Sequence, residues 1–151
     1  MQIAFKQFIK IKPHCAVGRI WGLVGEVKIQ KFEIQAKLPG LNDMIKRNRA
    51  NKYQGAQDKR MWQNVCLTFM KARHLKKIEN TAALIFEWHE KTRRRDKDNV
   101  ARAKKYILDR LQVGGYLKND NNKYIIGFVD RFVYDEQQKV VITIIESDEE
   151  E

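Results

Sequence analysis

The chain has 151 residues, enough for one domain with a single core, and carries 30 Lys and Arg against 19 Asp and Glu, a formal charge of +11. Five of the 19 acids fall in residues 146 to 151, so the rest holds 14 acids against 30 bases, a balance that points to a polyanionic partner, most simply nucleic acid. No apolar run approaches the roughly 20 residues of a membrane span, and the N-terminus lacks the continuous apolar stretch of a signal peptide.

Cys15 and Cys66 are isolated and lack zinc spacing, while His14, His74 and His89 form no cluster. Cys66 reads as a helix-core residue, and free thiols suit a reducing cytoplasm. Residues 1 to 27 are basic, with Gly18, Gly22 and Gly25 breaking any period and Pro13 interrupting the first apolar stretch. A short strand or a DNA-binding arm fits there. The plainer expectation is a poorly packed extension, with the compact domain beginning near Val27 or Lys28 and running to residue 146.

From Ile29 to Leu38, Phe32, Ile34, Ala36 and Leu38 alternate with Lys31, Glu33, Gln35 and Lys37, the pattern of a half-buried strand that Pro39-Gly40 ends. Leu41 to Lys52 then sets Lys46, Arg47, Arg49 and Lys52 against Asp43 alone. That is either a solvated helix-and-loop surface or a phosphate contact with Asn48, Asn51 and Tyr53 as added donors. Gln54-Gly55 breaks the chain before a helix from Ala56 to about Ala72, whose Met61, Trp62, Val65, Phe69 and Ala72 read as core.

Residues 81 to 90 are dominated by β-branched and aromatic residues and predict a strand. Arg93-Arg94-Arg95-Asp96-Lys97-Asp98-Asn99 follows, with Asp98 as a natural N-cap. From Asn99 to Val113, Val100, Ala103, Ile107 and Leu111 recur at helical spacing, and Gly114-Gly115 supplies a left-handed stop. At roughly 100° per residue, Asp98, Arg102, Lys105 and Asp109 line the opposite face. Residues 124 to 134 and 139 to 146 read as two strands joined by Asp135 to Gln138 as a hairpin loop. The order β-α-β-α-β-β predicts a single α+β domain, a mixed sheet with helices packed on it. Residues 147 to 151 read as a disordered acidic tail.

Two carboxylates one residue apart among cations are costly unless something binds. Magnesium takes oxygen ligands and is held by one or two carboxylates plus water and phosphate, so Asp96 and Asp98 with Asp120 suit metal-assisted phosphodiester hydrolysis. Taken alone, an Asp-x-Asp pair is a weak signal and reads first as an N-cap with salt bridges.

The Arg93 to Asn99 run, a helix ending Leu108-Asp109-Arg110-Leu111-Gln112-Val113-Gly114-Gly115, and then Leu117-Lys118-Asn119-Asp120 resemble the RusA family of Holliday-junction resolvases, particularly its phage and prophage members. The resemblance spans roughly residues 30 to 146 and includes Leu38-Pro39-Gly40-Leu41-Asn42. It implies a RusA-like fold and a homodimeric endonuclease, dependent on magnesium or manganese, that makes paired cuts in four-way DNA junctions during recombination and repair. The compartment it implies is the cytoplasm of a bacterial or phage-infected cell, with no membrane role. The family's three carboxylates fall on Asp96, Asp98 and Asp120, and its following Asn on Asn99. Its lysine falls on Arg102 counting from Asp98, or on Lys105 counting back from Asp109; Lys105 is preferred because the family element is a lysine. Arg93, Arg94, Arg95, Lys97, Asn99 and Arg102, with Lys46, Arg47, Arg49 and Lys52, are the expected DNA contacts. Rival readings are a non-catalytic nucleic-acid-binding protein and a nuclease of other branched DNA.

Overall fold

The structure, a computed structural model, describes Gln7–Ile11, Gly22 and residues 25 to 147. His14, Cys15, the acids at 148 to 151 and most of the expected N-terminal extension lie outside those residues. Strands form where β-branched and aromatic residues dominate: β1 Gln7–Ile11, β2 Gly25–Ile34, β3 Ala82–Glu90, β4 Ile125–Tyr134 and β5 Lys139–Ser147. The helices are α1 Leu41–Ala50, α2 Lys52–Ala72, α3 Lys97–Ala101 and α4 Lys104–Val113. Among the described residues the fold is α+β, one mixed sheet in the order β1-β2-β5-β3-β4 with helices packed on it. β1 pairs antiparallel with β2, Gln7 opposite Ile29 and Ile11 opposite Gly25, so the domain boundary expected near Val27 falls inside a strand.

The expected hairpin of the last two strands does not form. β5 lies antiparallel between β2 and β3, with Ile29 opposite Ile145 and Leu84 opposite Ile144, while β4 runs parallel to β3, with Phe86 opposite Asp130. A four-residue loop between apolar runs resembles a hairpin in sequence. β3 is the central partner instead: its backbone pairs with β4 on one side and β5 on the other, and its Ala82, Leu84, Phe86 and Trp88 are all buried under the helices. Residues 135 to 138 therefore pass over the end of β3, where the Asp135 N–H donates to the Glu90 carbonyl at 3.1 Å. His89 pins that crossing: its Nδ1 is 2.8 Å from Asp135 Oδ2 and its Nε2 is 2.7 Å from Glu87 Oε1.

Phe32, Ile34, Leu84, Phe86, Ile142 and Ile144 of the sheet pack in one cluster with Cys66, Met70, Ile107 and Leu111 of the helices, all fully buried. Each large side chain contributes about 1.5–3 kcal/mol by burial. Cys66 is in the core as its helix position suggests, and burial pushes its thiol up to about 12. α2 starts at Lys52 rather than after Gly55, because the Asn51 carboxamide caps it, accepting from the N–H of Tyr53 at 2.9 Å and of Gln54 at 3.4 Å. Its buried line is Gln63, Cys66 and Met70, and Met61, expected in the core, is 50% exposed. β2 ends at Ile34 instead of Leu38. The single helix expected from Asn99 to Val113 is two, joined at Arg102-Ala103 by tighter bonds from the N–H of Ala103 to the Val100 carbonyl and of Tyr106 to the Ala103 carbonyl. Gly115, at φ +79°, supplies the expected stop. No helix among the described residues is long and apolar enough to cross a membrane.

Candidate functional site

α3 begins at Asp96, not Asp98: Asp96 has the extended backbone of an N-cap, and its carbonyl accepts from the Val100 N–H at 3.0 Å. A capping aspartate normally turns its carboxylate onto the N–H two or three residues on. The Asp96 carboxylate makes no such bond, and Asp98 stands exposed in the first turn. Both acids gain from the helix dipole, but the ends of a five-residue helix offer little, at most about 0.3–1 kcal/mol.

Asp120 lies in the loop after α4. Its Oδ2 is 3.5 Å from Lys105 Nζ, and its Oδ1 accepts from Gln112 Nε2 at 3.5 Å. Lys105 also meets Asp109 Oδ1 at 2.9 Å, one turn along α4. The Asp109 hydrogen bond, opposed by partial burial and helped by the charges of Asp109 and Asp120, holds Lys105 above the ordinary lysine range. At neutral pH it is a fixed cation, unsuited to act as a base. Asp109 is further engaged by Gln63 Nε2 at 3.2 Å and Lys59 Nζ at 3.8 Å.

The structure thus joins Lys105 to Asp120 and places Asp96 and Asp98 together at the mouth of α3. Among the described residues no three His, Cys, Asp or Glu side chains converge closely enough to hold a metal ion. In kind, the donors of Asp96, Asp98 and Asp120 fit magnesium, which takes hard carboxylate oxygens.

The cations divide. Arg93 lies over the Tyr134 ring at 4.0 Å and Lys97 over the Phe132 ring at 5.7 Å, both exposed, as is Arg94. Arg95 and Asn99, expected at the DNA surface, face inward instead. Arg95 pairs with the buried Glu90 carboxylate and donates Nη1 to the Leu38 carbonyl at 3.0 Å; a buried acid needs such a counter-ion more than DNA needs another cation. Asn99 is 9% exposed, and its Oδ1 accepts the Asn42 N–H at 2.9 Å. Gly40 makes that approach possible, since a Cβ there would come within 2.5 Å of Asn99 Oδ1. The joint seats the first turn of α1 on α3.

Arg102, between α3 and α4, is exposed. Lys104 points the other way, bonding Asp130 Oδ2 at 2.7 Å over the rings of Phe86 and Phe128, while Asp130 Oδ1 accepts the Trp88 indole N–H at 2.9 Å. Lys46, Arg49 and Lys52 are exposed on α1 and the start of α2, whereas Arg47 reaches Asp58 Oδ2 at 2.7 Å. A cleft of about 420 Å³ brings Arg47 together with Arg102 and Lys105, and adds Lys59 and Trp62 of α2. Those last two escape sequence reading: their spacing of three puts them on one helix face, but a face bearing a tryptophan looks like core. No protein-family model and no curated protein matches this chain.

Proposed function

We propose that this chain is a magnesium-dependent endodeoxyribonuclease of the RusA type, which resolves four-way DNA junctions by paired incisions. The observation that carries the reading is the Asp96 carboxylate, which occupies a capping position yet caps nothing, beside the exposed Asp98 and a cationic loop. A protein that only bound DNA would gain nothing from these acids, because they repel phosphate. Asp96, Asp98 and Asp120 are the groups that would hold magnesium, or manganese in its place, and the ion's chemistry is to polarise the scissile phosphate and acidify the attacking water.

Lys105, a permanent cation beside Asp120, offsets charge developing on the phosphate. Arg93, Arg94, Lys97 and Arg102 grip backbone phosphates and position the strand without reading its sequence. Paired cuts in opposed strands call for a homodimer with two equivalent sites, and the reaction belongs in the cytoplasm of a bacterial or phage-infected cell.

Incubation with a synthetic four-way junction, a fork and a linear duplex, in magnesium and in EDTA, tests this reading. Symmetric nicks in the junction are expected in magnesium alone. Equal cutting of the fork would widen the substrate to branched DNA in general, and tight binding without cutting in magnesium would leave a DNA-binding protein.

A further inference from the structure

The cleft between α1, α2 and α4 has a floor unlike that of a simple phosphate site. Met44, Met61, Trp62 and Tyr106 line it, and Met61, midway along α2, remains 50% exposed. Its volume, about 420 Å³, falls in the range of roughly 300–1,000 Å³ typical of clefts that enclose a small organic group. Apolar surface gathered in a concavity is unfavourable in water until something apolar covers it.

The rim has the opposite character, with Arg47, Lys59, Arg102 and Lys105 against Asp43 and Asp58. Counted on the rim alone, four cations face two acids; Arg47 pairs with Asp58 at 2.7 Å through Nε, Lys59 and Lys105 share Asp109, and Arg102 is exposed. Asn48 adds an amide able both to donate and to accept. A flat aromatic body joined to an anion satisfies floor and rim together, and a nucleobase on its phosphate is that combination. A base stacked and paired within a duplex cannot offer its face, which makes the occupant an unpaired one.

We propose that this cleft receives an unpaired nucleobase of the DNA substrate, covered by Trp62 and Met61 while the flanking phosphates meet Arg47 and Arg102. The inference rests on the reading of the chain as a protein that acts on DNA, and adds that one nucleotide of the strand is held out of the stack.

The test is equilibrium binding of the full chain, at one salt concentration, to a short single strand and to the same strand with abasic residues. The intact strand is expected to bind at least about fivefold tighter, the size of one base–aromatic contact. That ratio should fall toward one in Trp62→Leu and in Met61→Gln, the latter at an exposed position that does not endanger folding. Equal affinity for the two strands, or a ratio that survives both substitutions, would overturn the proposal. A ratio that depends on Trp62 and Met61 in a chain that cuts no junction would support the cleft and remove the nuclease. Junction cutting with no base preference would do the reverse.

Discussion

Lys105 Nζ and Asp120 Oδ2 are 3.5 Å apart, although most of α4 and a Gly-Gly turn separate the two residues in the chain. The lysine therefore reaches the loop that carries the third aspartate while its neighbour Arg102 opens toward the cleft rim. Both line the cleft, and on the proposed reading the Asp120 contact of Lys105 sets the two cations different tasks. Lys105→Ala should lower the cleavage rate at saturating protein by about 10²-fold or more, the usual effect of removing a group that stabilises charge in the transition state. Arg102→Ala should weaken junction binding and reduce its salt dependence by about one phosphate contact, with the saturated rate nearly intact. Rates and affinities measured on both variants decide it, and the reverse pattern would move the catalytic role to Arg102.

Removing the charge of a ligand carboxylate while keeping its shape separates catalysis from binding. Asp96→Asn, Asp98→Asn and Asp120→Asn are each expected to abolish cutting in magnesium and to keep or tighten junction affinity, because each also removes a charge that repels phosphate. Gel-shift and cleavage assays on one junction check this. Cutting at near wild-type rate by any of the three would strike that residue from the metal-binding set.

Arg95 and Asn99 should behave as parts of the fold. Arg95→Ala leaves the Glu90 carboxylate buried without its counter-ion, a loss of about 3–5 kcal/mol. Asn99→Ala removes the acceptor of the Asn42 N–H, a loss of about 0.5–1.5 kcal/mol. Denaturant unfolding should show both, and the fraction that stays folded should bind DNA normally. Full stability with weakened binding would return the two side chains to the DNA surface.

The crossing at the end of β3 makes stability depend on acid. The His89 hydrogen bond holds the Asp135 carboxyl below the usual aspartate range. A carboxyl lowered by folding contributes stability that is complete above its unfolded value of about 4 and fades as pH falls through the lower folded value. Asp135→Asn should therefore melt below wild type at neutral pH, with the gap closing below about pH 4. A gap unchanged at low pH would mean that the charge of Asp135 is not what secures the loop.

Periodicity and composition reveal the elements of this fold but not their neighbours. Leu84, Phe86, Ile142 and Ile144 announce strands because β-branched and aromatic runs are local signals, whereas the placing of β5 between β2 and β3 depends on which edges stay buried, a property of the whole sheet. The Asp96 and Asp98 pair is visible as a local motif, whereas Lys105 is singled out by the resemblance, and its contact with Asp120 belongs to the fold. Arg95 is not legible: in the sequence it is one of three consecutive arginines, and only the fold, by burying Glu90, gives it a different task. Gly55 misleads because glycine normally breaks a helix, and here Asn51 starts the helix before it.

The position of β5 also governs how the molecule is assembled. It is made after every other described element, yet it fills the gap in the middle of the sheet. Until residues 139 to 147 emerge, β1 with β2 and β3 with β4 are two separate ribbons, each showing an open edge of the kind that invites pairing between chains. Closure is a long-range event and correspondingly slow. Pulse-labelled hydrogen exchange should find the facing amides of β2 and β3 gaining protection in the same phase as β5, and earlier protection on β3 alone would contradict that order. A chain stopped before Lys139 loses both pairings by which β5 joins β2 to β3.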